Sequence, residues 1–127
     1  IYRDYPTGGD GGARATIAAM LARCAPPEQY FGFLNVLFRT QASWFSAPDP
    51  VAALAQIGQL GGIDAQTFEA CMNDEALFNG IRDAQIRYGK EFDVESTPTL
   101  IFNDDEERMV SNRGWEALDA IMTGLVE

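Results

Sequence analysis

The chain has 127 residues, 46% of them apolar, which suffices for one compact domain with a sizeable core. Its 19 acidic and 9 basic side chains give a net charge of -10. Nucleic acids and anionic membranes attract basic surfaces, so we expect neither as a partner. No apolar run reaches the roughly 18 residues that a spanning helix needs, and no basic start leads into an apolar stretch, so we predict neither a membrane span nor a signal peptide.

The absence of histidine removes the commonest general base and the commonest metal ligand. A Ser-His-Asp or Cys-His mechanism within this chain is therefore excluded. The two cysteines, Cys24 and Cys71, form no C-x-x-C pair and have no partners at ligand spacing, which argues against zinc. They either bond to each other or remain buried thiols, and we expect no metal and no other cofactor.

The first residues alternate between apolar and charged side chains. Ile1 to Tyr5 is typical of a short strand, stopped by Pro6. The glycine-rich residues 8–12 predict a flexible loop. A phosphate-binding loop is disfavoured there, because no Lys-Ser/Thr follows and the G-x-G-x-x-G spacing is absent.

Four or five helices are predicted next, without a strand among them. Residues 13–25 carry apolar side chains at three- and four-residue intervals, and Pro26-Pro27 ends that pattern. Further helices are predicted after Pro27, over 51–60, after Asp64 as an N-cap, and from Asn73 or Asp74 to about residue 92. Together they make a helical block of about eighty residues.

The block contains the most aromatic segment of the chain, from Tyr30 to Phe45. We predict that most of its aromatic side chains belong to the core. The alternative is a contribution to a peptide-binding groove. Trp44, Phe45 and the residues up to Pro48 are the best candidates for the exposed minority of the segment, because the helical periodicity fails there.

The pattern changes after residue 93. Thr97 to Phe102 is rich in β-forming residues, 103–107 predicts an acidic turn, and 108–111 predicts a return strand. A last helix is predicted from about Trp115, with Leu118, Ile121, Met122 and Leu125 facing inward. The order is therefore strand, helical block, hairpin and helix.

This order, with Tyr2-Arg3-Asp4-Tyr5-Pro6 at the front and Ser96-Thr97-Pro98-Thr99-Leu100-Ile101-Phe102-Asn103 near the end, resembles the DsbA family of thiol-disulfide oxidoreductases over essentially the whole chain. The resemblance implies an α/β, thioredoxin-like fold with an inserted helical subdomain. Residues 1–8 and 93–127 would form the thioredoxin-like portion, and 9–92 the insertion. The family's first strand and its C-x-x-C would precede Ile1, so the chain is expected to be N-terminally incomplete, with no catalytic residue of its own.

The resemblance also assigns roles to four residues. On sequence alone, Pro98 is an ordinary proline at the start of a strand. The family instead implies a cis Thr97-Pro98 bond in a loop that contacts substrate. For Cys24 and Cys71 it implies a second, non-catalytic disulfide that is structural.

The function implied is disulfide formation or isomerisation in exported proteins, within the periplasm or another oxidising compartment. Partners would be extended or unfolded protein substrates and a protein that restores the redox state. A redox-inactive module that binds peptides or a partner is the alternative, and a glutathione-using isomerase or transferase of the same fold is a weaker one. Because missing elements would expose sheet edges, we also expect either an upstream segment, or a homo-oligomer or domain swap that covers the gap.

Overall fold

The computed structural model describes residues 1–103, 105–111 and 114–126, and for residues 10 and 105–111 it describes the backbone alone. The chain forms two compact units, Ile1–Gln85 and Ile86–Glu127. The boundary between them falls within the sixth α-helix. The predicted division at residues 8/9 and 92/93 stays a prediction.

The first unit is helical. Its elements are α1 (Gly9–Cys24), a short 3-10 helix (Pro27–Gln29), α2 (Tyr30–Arg39), α3 (Gln41–Phe45), α4 (Pro50–Leu60), α5 (Ala65–Met72) and the first part of α6 (Glu75–Glu91). The predicted helical block is thus confirmed.

Aspartates begin three of these helices. The Asp64 carboxylate accepts a hydrogen bond from the Thr67 N–H at 2.7 Å, which confirms the predicted N-cap of α5. Of the two candidates for α6, Asp74 caps it by accepting from the Leu77 N–H at 2.9 Å. Asp49 does the same for α4.

The core of the first unit lies between α1 and the helices that pack on it. Leu21 of α1 and Leu54 of α4 are fully buried. Buried side chains from α2, α3 and α5 surround them, namely Phe33, Leu34, Leu37, Trp44 and Phe68. This cluster holds α1 in the centre of the helical unit.

The prediction of a strand at the start of the chain is wrong. Residues 1–7 have no regular secondary structure, and the two described strands pair only with each other. A strand needs a hydrogen-bonding neighbour, and this segment is held through other contacts instead. Asp4 pairs with Arg23 of α1, and the Gln85 side-chain amide donates to the Pro6 carbonyl at 2.5 Å.

The prediction of a glycine-rich loop is also wrong for most of its length, because α1 already begins at Gly9. Gly9 has a φ of 77°, which favours glycine. At Gly12 a β-carbon would overlap the carbonyl oxygen of Thr7. Glycine here serves a close backbone approach at the start of a helix rather than flexibility.

The aromatic segment is arranged differently from the prediction at Trp44. This side chain is only 5% exposed, and its indole N–H donates to the Leu37 carbonyl at 2.8 Å. Phe45 is half-buried, whereas Phe31 and Phe38 of α2 are 67% and 60% exposed. Trp44 lies on the separate short helix α3, which directs its side chain into the core. The helical periodicity of α2 could not predict this, because α3 does not continue α2.

The second unit contains a β-hairpin and a helix. Strand β1 (Thr99–Phe102) pairs antiparallel with β2 (Asp105–Ser111), and helix α7 (Trp115–Val126) follows. Four residues of α7 were predicted to face inward. Leu118, Ile121 and Leu125 are half-buried, in agreement with that prediction, whereas Met122 is 36% exposed.

The acidic turn is shorter than predicted. Phe102 pairs with Asp105, so residues 105–107 belong to β2 and not to the turn. Asn103 adopts a φ of 56°, a conformation that asparagine tolerates, and this lets the chain reverse tightly. Residue 104 lies outside the described residues.

Candidate functional site

The segment before β1 is exposed. Thr97 and Pro98 are both open to solvent, and the peptide bond between them is cis. The Thr99 hydroxyl donates to the Ser96 carbonyl at 2.5 Å, a hydrogen bond that closes the turn leading into the strand. The backbone of Thr97 is therefore accessible at the start of a strand.

Strand β1 has a free edge among the described strands. It pairs with β2 on one side, and no other described strand lies on its second side. Such an edge presents N–H and C=O groups to which an extended peptide can hydrogen-bond. Thr97 and Pro98 lie at the start of this edge, and their predicted role in binding a substrate strand stays a prediction.

Cys24 and Cys71 are joined by a disulfide. It links the end of α1 to α5, and its Cα atoms are 6.2 Å apart, within the usual range. Cys71 is 5% exposed and packs with Met20 and Ile81, whereas Cys24 is half-buried. The chain has no free cysteine, so it holds no thiolate that can act as a nucleophile in this state.

A buried ionic cluster that the sequence did not reveal lies near the start of the chain. Asp4 is 8% exposed, and its carboxylate accepts a hydrogen bond from the Arg23 guanidinium at 2.9 Å. The Arg23 guanidinium also lies 4.6 Å from the centre of the Tyr30 ring, and the Tyr30 hydroxyl is 3.5 Å from Asp4. No local signal in the sequence pairs Asp4 with residues about twenty positions away.

This cluster changes the acidity of its tyrosines. Burial, and next the negative charge of Asp4, raises the pKa of Tyr30 to about 12. The same two causes raise the pKa of Tyr2, whose ring packs edge-on against Tyr30. Both phenols stay protonated at neutral pH, so neither tyrosine acts as a general base there. The Asp4-Arg23 pair anchors the first residues to α1.

The predicted site residues fall into two groups. Cys24 and Cys71 belong to the first unit, and Thr97 and Pro98 to the second. Within the described part of the chain, no three His, Cys, Asp or Glu side chains are grouped so as to hold a metal ion. Among the same residues, no helix is long and apolar enough to cross a membrane.

Comparison with known proteins identifies the family. A family model described as thioredoxin matches residues 1–123. The chain therefore belongs to this thioredoxin family, and the resemblance predicted from the sequence is confirmed.

Two curated proteins are similar to part of the chain. Each is named "Putative protein-disulfide oxidoreductase", one from Rickettsia typhi and one from Rickettsia prowazekii. Both are 33% identical over 61 residues, which are 47% of this chain and 23% and 22% of the respective relatives. The match thus spans about a quarter of the length of these relatives. No solved structure matches the chain significantly.

Proposed function

We propose that this chain is part of a thiol-disulfide oxidoreductase of DsbA-like fold that forms or rearranges disulfides in exported proteins. The observation that carries the proposal is the thioredoxin family match over residues 1–123, supported by the names of the two relatives. We also propose that the complete fold has an α/β thioredoxin-like portion into which the helical unit is inserted. The redox C-x-x-C is placed upstream of Ile1.

The chemistry needs two cysteines outside this chain. A substrate thiolate attacks one sulfur of the protein disulfide, that S–S bond breaks, and the departing sulfur leaves as a thiolate. The second substrate thiolate then attacks the substrate sulfur of the mixed disulfide. The substrate gains a disulfide, the protein gains two reduced cysteines, and a disulfide-bearing partner protein takes up the two electrons to restore the oxidised form. We place this reaction in the periplasm or another oxidising compartment.

Thr97 and Pro98 supply the substrate contact in this proposal. Both are exposed, and they lie directly before strand β1. An extended substrate segment hydrogen-bonds to the Thr97 backbone and lies beside the redox cysteines. Recognition through the backbone suits an enzyme that acts on many unfolded sequences.

The reaction is tested with the natural, full-length protein. The oxidised protein is mixed with a reduced peptide that carries two cysteines, and the loss of two hydrogens from the peptide is followed by mass spectrometry. We expect stoichiometric oxidation. The matched control is the double variant Cys24→Ser/Cys71→Ser, which should oxidise the peptide equally well because that disulfide is structural.

Two results would contradict the proposal. If the natural protein does not oxidise the peptide, the oxidoreductase function is wrong. If the double variant is still folded, as judged by circular dichroism, but inactive, the reaction belongs to Cys24 and Cys71 and not to an upstream cysteine pair.

A redox-inactive binding module is the second candidate. It is favoured by one observation, that both cysteines of this chain are bonded to each other and neither lies in a C-x-x-C pair. Such a module binds extended peptides at the β1 edge without oxidising them. Peptide binding by a full-length protein that lacks further cysteines would support it.

A further inference from the structure

The helical unit carries an open hollow far along the chain from Thr97 and Pro98. It is a shallow surface depression where α2 ends and α3 begins, with a volume of about 510 Å³ that is largely open to solvent. Its lining residues are Phe38, Arg39, Gln41, Ala42, Phe45 and Ser46. This volume falls within the range of about 300 to 1,000 Å³ that is typical of ligand-binding clefts.

The apolar part of the hollow is formed by two phenylalanines. Phe38 is 60% exposed, a large apolar surface for a single side chain in contact with water. Phe45 is held in place from two sides. Its ring meets the buried Trp44 edge-on at 5.6 Å between centres, and the Arg14 guanidinium lies 5.5 Å from its centre while donating to its backbone carbonyl.

The charged part is Arg39. This side chain is exposed and takes part in none of the ion pairs formed by described residues, and no acidic residue lines the hollow. The chain as a whole is acidic, with 19 acidic and 9 basic side chains. An apolar surface beside an uncompensated guanidinium is complementary to an apolar group that is linked to a carboxylate.

We propose that this hollow binds a protein segment in which an apolar side chain lies next to an acidic residue. The apolar side chain packs on Phe38 and Phe45, and the carboxylate pairs with Arg39. The site is independent of the redox reaction, and it gives the helical unit a recognition surface of its own.

The test uses two synthetic peptides and the natural, full-length protein. One peptide is acetyl-Leu-Glu-Leu-Glu-Leu-amide, and the other has glutamine in place of both glutamates. Binding is followed by NMR titration of the isotope-labelled protein. We expect the glutamate peptide to bind about two to five times more tightly, the preference given by one solvent-exposed ion pair, and added salt to reduce the difference.

Matched variants separate charge from apolar contact. Arg39→Gln should abolish the preference for glutamate, while Arg82→Gln, at an exposed arginine of α6, should leave it unchanged. Phe38→Ala should weaken the binding of both peptides, while Phe31→Ala, at the other exposed phenylalanine of α2, should leave the binding of both unchanged. Shift changes should centre on α2 and α3, including the Trp44 indole N–H.

Three results would overturn the proposal. These are equal binding of the two peptides, an unchanged preference in Arg39→Gln, and shift changes confined to Thr97 and β1. The last would assign the binding to the proposed substrate site instead.

Discussion

Asp4 shows how a single residue can fix an irregular segment. Its carboxylate is buried and pairs with Arg23, whose side chain is 40% exposed. The ion pair, together with the hydrogen bond from Gln85 to Pro6, holds the first residues against the helical unit, since neither of the two described strands pairs with them. A buried carboxylate without a cationic partner destabilises the folded state, so the buried Asp4 depends on Arg23.

We expect Asp4→Asn to lower the free energy of unfolding by about 1 to 3 kcal/mol, because it removes a charge-assisted hydrogen bond from a buried position. The matched control is Asp83→Asn, which removes an exposed pair with Arg82 at 3.8 Å and should change stability by less than about 0.5 kcal/mol. Urea unfolding measures both. Equal effects of the two variants would show that the Asp4 pair is not a buried anchor.

Tyr30 makes stability depend on pH in the alkaline range. Its ordinary pKa is 10.0, and burial followed by the charge of Asp4 raises it to about 12 in the folded chain. The folded state therefore favours the neutral phenol. The contribution of Tyr30 to the free energy of unfolding is fully present below pH 10. It is lost as the pH rises from 10 to about 12, because Tyr30 ionises at a lower pH in the unfolded chain than in the folded one.

Tyr30→Phe should accordingly flatten the fall of stability between these two pH values. Urea unfolding at pH values on either side of 10 provides the measurement. Tyr2→Phe/Tyr30→Phe should flatten it further, since the pKa of Tyr2 is raised by the same causes. A wild-type-like fall in the double variant would mean that other groups control alkaline unfolding.

At the scale of elements, helix ends were the most predictable part of the fold. Asp64 and the break at Pro26-Pro27 lie where the sequence placed them, because capping and proline effects act over a few residues. The Ile1 strand and the burial of Trp44 were mispredicted for the opposite reason. Both depend on partners that are distant in the chain, and periodicity carries no information about those.

The N-cap of α5 gives a test at this scale. Asp64→Ala should lower the urea midpoint, because the Thr67 N–H loses its acceptor, whereas Asp64→Asn should keep most of the stability. Backbone hydrogen bonding lowers the pKa of Asp64, so its contribution is present above its ordinary value of 3.8 and is lost as the pH falls below it. The asparagine variant should lack this acid-dependent part. An alanine variant with an unchanged midpoint would contradict the cap.

The disulfide between α1 and α5 is the strongest link between two elements. It closes a loop whose ends are 47 positions apart. Constraint of the unfolded chain should then stabilise the fold by up to about 4 kcal/mol. Urea unfolding with and without reductant should show a clear loss of stability on reduction, with Cys24→Ser/Cys71→Ser resembling the reduced chain. Equal urea midpoints with and without reductant would show that the disulfide does not stabilise the fold.

At the scale of the whole molecule, the sequence predicted the family and the succession of helical block, hairpin and helix, but not the irregular start or the surfaces. The resemblance rested on the segments around Pro6 and Pro98, which the family match over residues 1–123 bears out. The Asp4 cluster and the Phe38-Arg39 hollow were not foreseen. Each arises from the packing of separate helices, and side-chain proximity of that kind is not written in local sequence.

The redox pair of the proposed oxidoreductase lies outside this chain. The intact mass of the natural, full-length protein after alkylation, with and without prior reduction, tests for it. We expect two cysteines besides Cys24 and Cys71, joined in a disulfide that a mild dithiol reductant opens before the Cys24-Cys71 bond. A natural protein whose only cysteines are Cys24 and Cys71 would contradict this expectation and leave the peptide-binding module.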